Sequence, residues 1–243
     1  MVIIIATIAP RRSDTHQLRG DGMKGICYII AAGPVDDLVL EPSPDDLVIA
    51  ADAGYLHLGR LSVVADLVVG DFDSLKHKPS HPNVLEFPCE KDETDVMIAA
   101  SEGLRRGYRT FVILGGLGGR LDHTLANIQT LNYLSRQGAQ GYLLGEGTAV
   151  TVIRNGCIRF DGEKKGVISV FCCGEVAKGV NIRGLKYPLT DAVVTPDVPV
   201  GVSNEFTGAD SEISVREGAL AIMWSDSAAG VIEELTEKSM FAC

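Results

Sequence analysis

From residue 26 to residue 145, short apolar runs alternate with stretches of helical period. The runs are 26–32, 46–51, 67–70, 83–87, 110–114 and 140–145, and several are apolar throughout. Strands of a parallel sheet, covered on both faces, carry that continuous pattern, whereas a half-exposed strand alternates. Between the runs, residues 95–106 predict a helix, with Thr94 as its cap and Gly107 as its stop. Residues 123–137 predict a second helix, with Leu125, Ile128, Leu131 and Leu134 on one face and Gly138 ending it. The expected fold class is α/β, beginning with an open, mostly parallel domain over residues 23–148.

After residue 148 the pattern changes. Strand-like segments at 149–154, 157–160, 167–173, 176–183, 192–195, 212–216 and 219–224 are separated or flanked by Gly162, Gly174, Gly184, Gly201 and Gly218. Many short strands with turn signals between them predict an all-β sandwich over residues 149–243. The tail from Ser225 lacks a strand pattern and is expected to be a loose end or a short helix. At the other terminus, Met23 leads directly into the first clean strand, so residues 1–22 read as a disordered, dispensable upstream extension. Their apolar stretch, residues 2–8, is too short to cross a membrane.

With 46% hydrophobic residues the chain can bury a proper core, and its formal net charge of −10 argues against a nucleic-acid surface. The six cysteines form no CxxC pair and no zinc spacing, which predicts buried reduced thiols and a reducing, cytoplasmic setting.

Four aspartates follow the apolar runs: Asp52, Asp71, Asp73 and Asp95. Clustered carboxylates repel one another unless a cation joins them, and hard oxygen ligands suit Mg²⁺, which shares phosphate oxygens with a nucleotide. In an extended Asp-x-Asp both side chains lie on one side, so Asp71 and Asp73 are expected to reach the same ion. The Gly70-Asp71-Phe72-Asp73-Ser74 segment also resembles the first motif of haloacid-dehalogenase phosphatases. Those carry Thr or Val where Leu75 stands, and their motif opens the fold rather than following its third strand. Lys91-Asp92-Glu93-Thr94-Asp95 precedes a helix, where free N–H groups and the dipole favour a phosphate. Helix capping by Thr94 is compatible with that role.

The glycine-rich stretch from Gly115 to His123 lies between a strand and a helix. Glycines let the backbone approach a polyphosphate closely, with Gly116, Gly118 and Gly119 as the candidate contacts. Arg120 can chelate phosphate oxygens through its planar fork, and His123 can bond a phosphate. Asp122 is placed as a helix cap or a polar substrate contact.

The ordered set Ala51-Asp52-Ala53-Gly54, residues 70–74, residues 91–95, residues 115–127, residues 201–206 and the segment ending at Trp224 resembles the thiamine pyrophosphokinase family. The resemblance spans about residues 24 to 224. Two departures are Ala53, where a second glycine is frequent, and Met97, where relatives often carry an acid.

The resemblance implies an α/β nucleotide domain followed by a β-sandwich, in a homodimer with active sites between subunits. It implies transfer of the pyrophosphoryl group of ATP to the hydroxyl of thiamine, with Asp52, Asp71, Asp73 and Asp95 around Mg²⁺. It further implies that Asp71, Asp73, Asp95 and Arg120 are catalytic, with Lys91, Asp92, Thr94, the loop glycines and His123 around the nucleotide. Asp122, Ser203, Asn204 and Trp224 would meet the vitamin. Trp224 has two readings, a stacking platform for the cationic ring or a core residue, and Ser203 with Asn204 is expected in a loop. The rival functions are a pyrophosphokinase for another heterocyclic alcohol, a metal-dependent phosphatase and a non-enzymatic thiamine sensor. Retention of all four aspartates speaks against the sensor.

Overall fold

The computed structural model describes residues 25–73, 79–88 and 92–237; the expectations for residues 1–22 and for Lys91 lie outside them. Six strands open the chain: β1 (Ile26–Ile30), β2 (Leu47–Ala51), β3 (Leu67–Gly70), β4 (Val84–Glu86), β5 (Thr110–Leu114) and β6 (Gln140–Gly145). All their pairings are parallel, in the spatial order β6-β5-β1-β2-β3-β4. Strands β1, β2 and β3 are buried at every position, as their unbroken apolar runs predict. The chain builds outward from β1 to β4 and then returns to place β5 on β1's other side. That reversal opens a crevice at the carboxyl ends of β1 and β5, the usual ligand position in open α/β sheets.

Helices α1 (Asp95–Arg105) and α2 (Leu121–Arg136) cover one face. Thr94 caps α1, its hydroxyl accepting the Met97 N–H at 3.2 Å. Gly103 lets α1 lie close to the sheet, since a Cβ there would sit 2.6 Å from the Phe111 ring. Helix α2 begins two residues before the expected start, so Asp122 stands inside its first turn and Arg120 is the N-cap residue. An acid there still complements the helix dipole, which is why the sequence signal shifted by a residue or two. Its buried face also differs: Leu131 and Leu134 are in the core, but Leu125 is 58% exposed. The first two turns overhang the crevice, where Ala126 and Asn127 face inward.

The remaining strands are β7 (Thr148–Arg154), β8 (Cys157–Phe160), β9 (Val167–Cys172), β10 (Ala177–Arg183), β11 (Leu189–Val194), β12 (Gly201–Glu205), β13 (Ser211–Ser214) and β14 (Ala219–Ser225). The change of pattern near residue 148 coincides with a change of strand direction. Strand β7 pairs antiparallel with β6, and β14, β9 and β12 extend the same sheet to ten strands. The other four form a second antiparallel sheet, β11-β10-β13-β8. One continuous core joins the sheets: Tyr28, Ile30 and Leu114 belong to the same buried cluster as Phe160, Ile182, Ile213 and Trp224. The tail forms α3 (Ala228–Thr236), capped by Ser227 and tied down by Lys164, which pairs with both Asp226 and Glu234.

Two expectations change. Ser203 and Asn204 lie in β12 rather than in a loop. The strand went unread because its register shifts between Gly201 and Asn204 and Ser203 has φ +57°, which breaks the alternation. The cysteines are not all reduced: Cys27, Cys172 and Cys173 are free, but Cys157 is disulfide-bonded. Motif spacing does not register such a bridge, so the cysteine pattern does not carry the expected reducing compartment. No helix among the described residues is long and apolar enough to cross a membrane.

Candidate active site

The carboxyl ends of β1, β2 and β5 and the first turns of α1 and α2 enclose a cavity of about 420 Å³. Its floor is backbone. Gly33 N–H donates to the Gly115 carbonyl at 2.8 Å, and a Cβ on Gly33 would sit 2.6 Å from that oxygen. Small residues at the end of β1, Ala31 to Gly33, are thus required for the loop after β5 to close over the strand end. The sequence reading missed this contribution, although the Ala-Ala-Gly-Pro run was its visible signal.

Three aspartates meet at one edge of the cavity. Asp52, Asp71 and Asp73 each offer a carboxylate oxygen within 4.8 Å of the others. Asp52 opens a short 3₁₀ turn with φ +45°, a costly conformation for a non-glycine residue. Packing enforces it: Gly70 backs onto Asp52, with its would-be Cβ 3.1 Å from the Asp52 Cα. The Asp71-Phe72-Asp73 segment is not extended as expected. Phe72 has φ +62° and is buried, and the Asp73 N–H donates to Asp71 Oδ1 at 3.2 Å. The buried ring anchors a turn, and the turn brings the two carboxylates together where an extended strand would rely on alternation.

One oxygen of this trio, Asp52 Oδ1, is buried without a hydrogen-bond partner. Such a group is costly unless a cation or water meets it. With three hard oxygen donors converging, the arrangement fits a small divalent cation. Asp95, the fourth expected ligand, lines the cavity at the start of α1 without joining the trio.

The opposite wall is the glycine loop. Gly116, Gly118, Gly119, Arg120 and His123 all line the cavity, as does Thr94. Gly118 and Gly119 have φ of +74° and +63°, and the loop needs glycine there. Arg120 is held in a bidentate pair with Asp122, at 3.1 Å from Nε and 2.6 Å from the terminal nitrogen. The Arg120 hydrogen bond holds the Asp122 carboxyl below its usual range, and the guanidinium is raised in turn. Both side chains are exposed, so the pair is weak and exchangeable. Asp92 is exposed and outside the cavity lining.

Of the residues expected to meet the vitamin, Asp122 stands beside this wall, paired with Arg120, and the other three lie elsewhere. Ser203, Asn204 and Trp224 belong to the antiparallel half and do not line this cavity. Asn204 is buried, its amide exchanging two hydrogen bonds with the Tyr187 backbone at 2.9 and 2.7 Å. Trp224 is 1% exposed, packed edge-on against Phe160, with its indole N–H donating to Asp226 at 3.1 Å. Of its two sequence readings, this position is that of the core residue.

Comparisons with known proteins agree in both halves of the chain. Residues 42–143 match the family model for the thiamin pyrophosphokinase catalytic domain, and residues 157–220 match that for the thiamin pyrophosphokinase vitamin B1 binding domain. The thiamine pyrophosphokinase of Bacillus subtilis (strain 168) is 28% identical over 209 residues, covering 81% of this chain and 97% of that protein. The crystal structure of thiamine pyrophosphokinase from Bacillus subtilis superposes with a TM-score of 0.73 at 26% identity, over 83% of this chain and 99% of that one. The crystal structure of a thiamin pyrophosphokinase family protein from Enterococcus faecalis gives 0.69 at 29% identity, over 83% and 99%.

Proposed function

The chain belongs to the thiamin pyrophosphokinase family, and from that premise we propose that it transfers the pyrophosphoryl group of ATP to thiamine, with Asp52, Asp71 and Asp73 holding Mg²⁺. The observation that carries this reading is the convergence of three carboxylates, one with a buried unpartnered oxygen, across a cavity from a glycine loop bearing Arg120 and His123. Bound there, the ion would neutralise phosphate charge and polarise the phosphorus–oxygen bonds under attack.

The chain's own residues position the reactants. Gly116, Gly118 and Gly119 admit the polyphosphate close to the backbone, and the start of α2 offers it free N–H groups. Arg120 leaves Asp122 to chelate phosphate oxygens in its planar fork. His123, Thr94 and Asp95 line the same space, and Lys91 would supply positive charge to the phosphates. The thiamine hydroxyl oxygen forms a bond to the β-phosphorus as the bond to the bridging oxygen breaks and AMP leaves. Its proton passes to Asp71 or Asp73. In-line displacement of this kind asks mainly for alignment and charge neutralisation, which these groups supply.

The vitamin is brought by a second copy in a homodimer. The segment carrying Val193, Val198, Val200 and Val202 is exposed, and β12 is an open sheet edge, both of which support an interface there. With Trp224 in the core and Asn204 engaged with Tyr187, Ser203 and Asp122 are the expected vitamin contacts that stand open to solvent. Phosphorus NMR of the purified protein with thiamine, ATP and Mg²⁺ tests the reaction. Thiamine diphosphate with AMP is the expected outcome; thiamine monophosphate with ADP would overturn attack at the β-phosphorus.

A further inference from the structure

We infer that Asn127 is a positioning residue for the nucleotide, acting by clamping the glycine loop through the Gly116 carbonyl. The inference rests on the proposed reading of this cavity as the ATP site. Asn127 is one of the few polar residues in the core, 4% exposed, two turns into α2 and on the cavity wall. Its Nδ2 donates to the Gly116 carbonyl at 2.9 Å.

The geometry explains why a clamp is needed there. Residues 115–119 contain four glycines, and such a segment has more conformational freedom to lose than any other. Gly118 and Gly119 have no side chain to anchor them. Leu117 fixes the loop on the core side, being 7% exposed, and Gly115 is paired with Gly33. Gly116 is held by the Asn127 amide, and a Cβ at that position would run into Leu143 and that same amide. A trans peptide is planar, so fixing the Gly116 carbonyl also fixes the opposite N–H of Leu117 and the path of the chain into Gly118. Without the bond, ordering the loop would fall to the binding of ATP itself.

The test uses full-length Asn127→Leu and Asn127→Asp with steady-state kinetics in both substrates. Asn127→Leu should raise the KM for ATP about tenfold, the scale of one lost buried hydrogen bond, with the KM for thiamine within about twofold. A folded Asn127→Leu with unchanged KM for ATP would overturn the clamp. Asn127→Asp puts a carboxylate against the Gly116 carbonyl at neutral pH and regains a donor when protonated. Its KM for ATP, relative to wild type at the same pH, should therefore improve as pH falls, and a pH-independent ratio would count against the inference. If either variant fails to fold by circular dichroism, Asn127→Ser, which keeps a small donor, should give a smaller ATP-specific rise. Equal damage to both substrates in it would mark Asn127 as merely structural. Wild-type turnover is measured alongside, so that absence of thiamine diphosphate there would instead refute the proposed function.

Discussion

The two halves of the large sheet use strands differently. In the parallel half every strand points the same way, so all the carboxyl ends open on one edge, and Ala31 to Gly33, Asp52, Asp71 and the loop from Gly115 gather there. In the antiparallel half neighbouring strands reverse, ends alternate, and polar side chains are spent on internal ties. Asn204 holds Tyr187, and Asp226 holds the Trp224 indole and Lys164. Parallel pairing concentrates chemistry at an edge, and antiparallel pairing distributes it into scaffolding. Backbone strain does not follow this division: Asp52 and Phe72 sit at positive φ at the carboxylate trio, and Ser203 does so in the antiparallel half.

Substitutions can break this contrast. The largest effect is expected from Asp71→Asn, which should lower turnover by about a thousandfold or more while leaving the thermal midpoint close to wild type. In the other half the balance reverses. Trp224→Ala should cost roughly 3–5 kcal/mol of stability in denaturant unfolding, and any variant that still folds should keep a near-normal KM for ATP. A loss of thiamine binding without loss of stability would instead restore the stacking role. Thr94→Ala removes the cap of α1 and is expected to cost about 1 kcal/mol, with a further rise in the KM for ATP because Thr94 borders the cavity.

The smallest effect is a pH dependence. Burial pushes the Glu102 carboxyl up, but hydrogen bonds and charge from Arg105 and Arg106 outweigh it and hold it below its usual range. A depressed carboxylate contributes stability above its unfolded pKa and loses it as pH falls through the folded value. Acid titration of wild type against Glu102→Gln should show that the variant lacks this part of the acid limb, on the order of 1 kcal/mol or less for a pair with exposed arginines.

Much of the parallel half was legible because burial on both faces writes an unbroken apolar run, and Thr94 and Gly107 punctuate α1 in the expected way. The three carboxylates were legible as strand-end residues. Their convergence was not, since it depends on the left-handed Phe72 and on Gly70 backing onto Asp52. Strand β12 escaped because a bulge hides its period. Trp224 shows the limit of reading one aromatic residue: position in a motif says nothing about which side of a sheet it faces. Asn127 lay in plain view within residues 115–127, but only a bond to a carbonyl eleven residues earlier gives it a task.

The pairing of β6 with β7 makes the sheet a single plate of ten strands. A plate stitched by hydrogen bonds along its whole width has no hinge line, because bending it would break a ladder rather than flex a linker. Within one chain, therefore, the parallel and antiparallel parts of the sheet do not close on each other like jaws. Access to the cavity is left to the small segments at the strand ends.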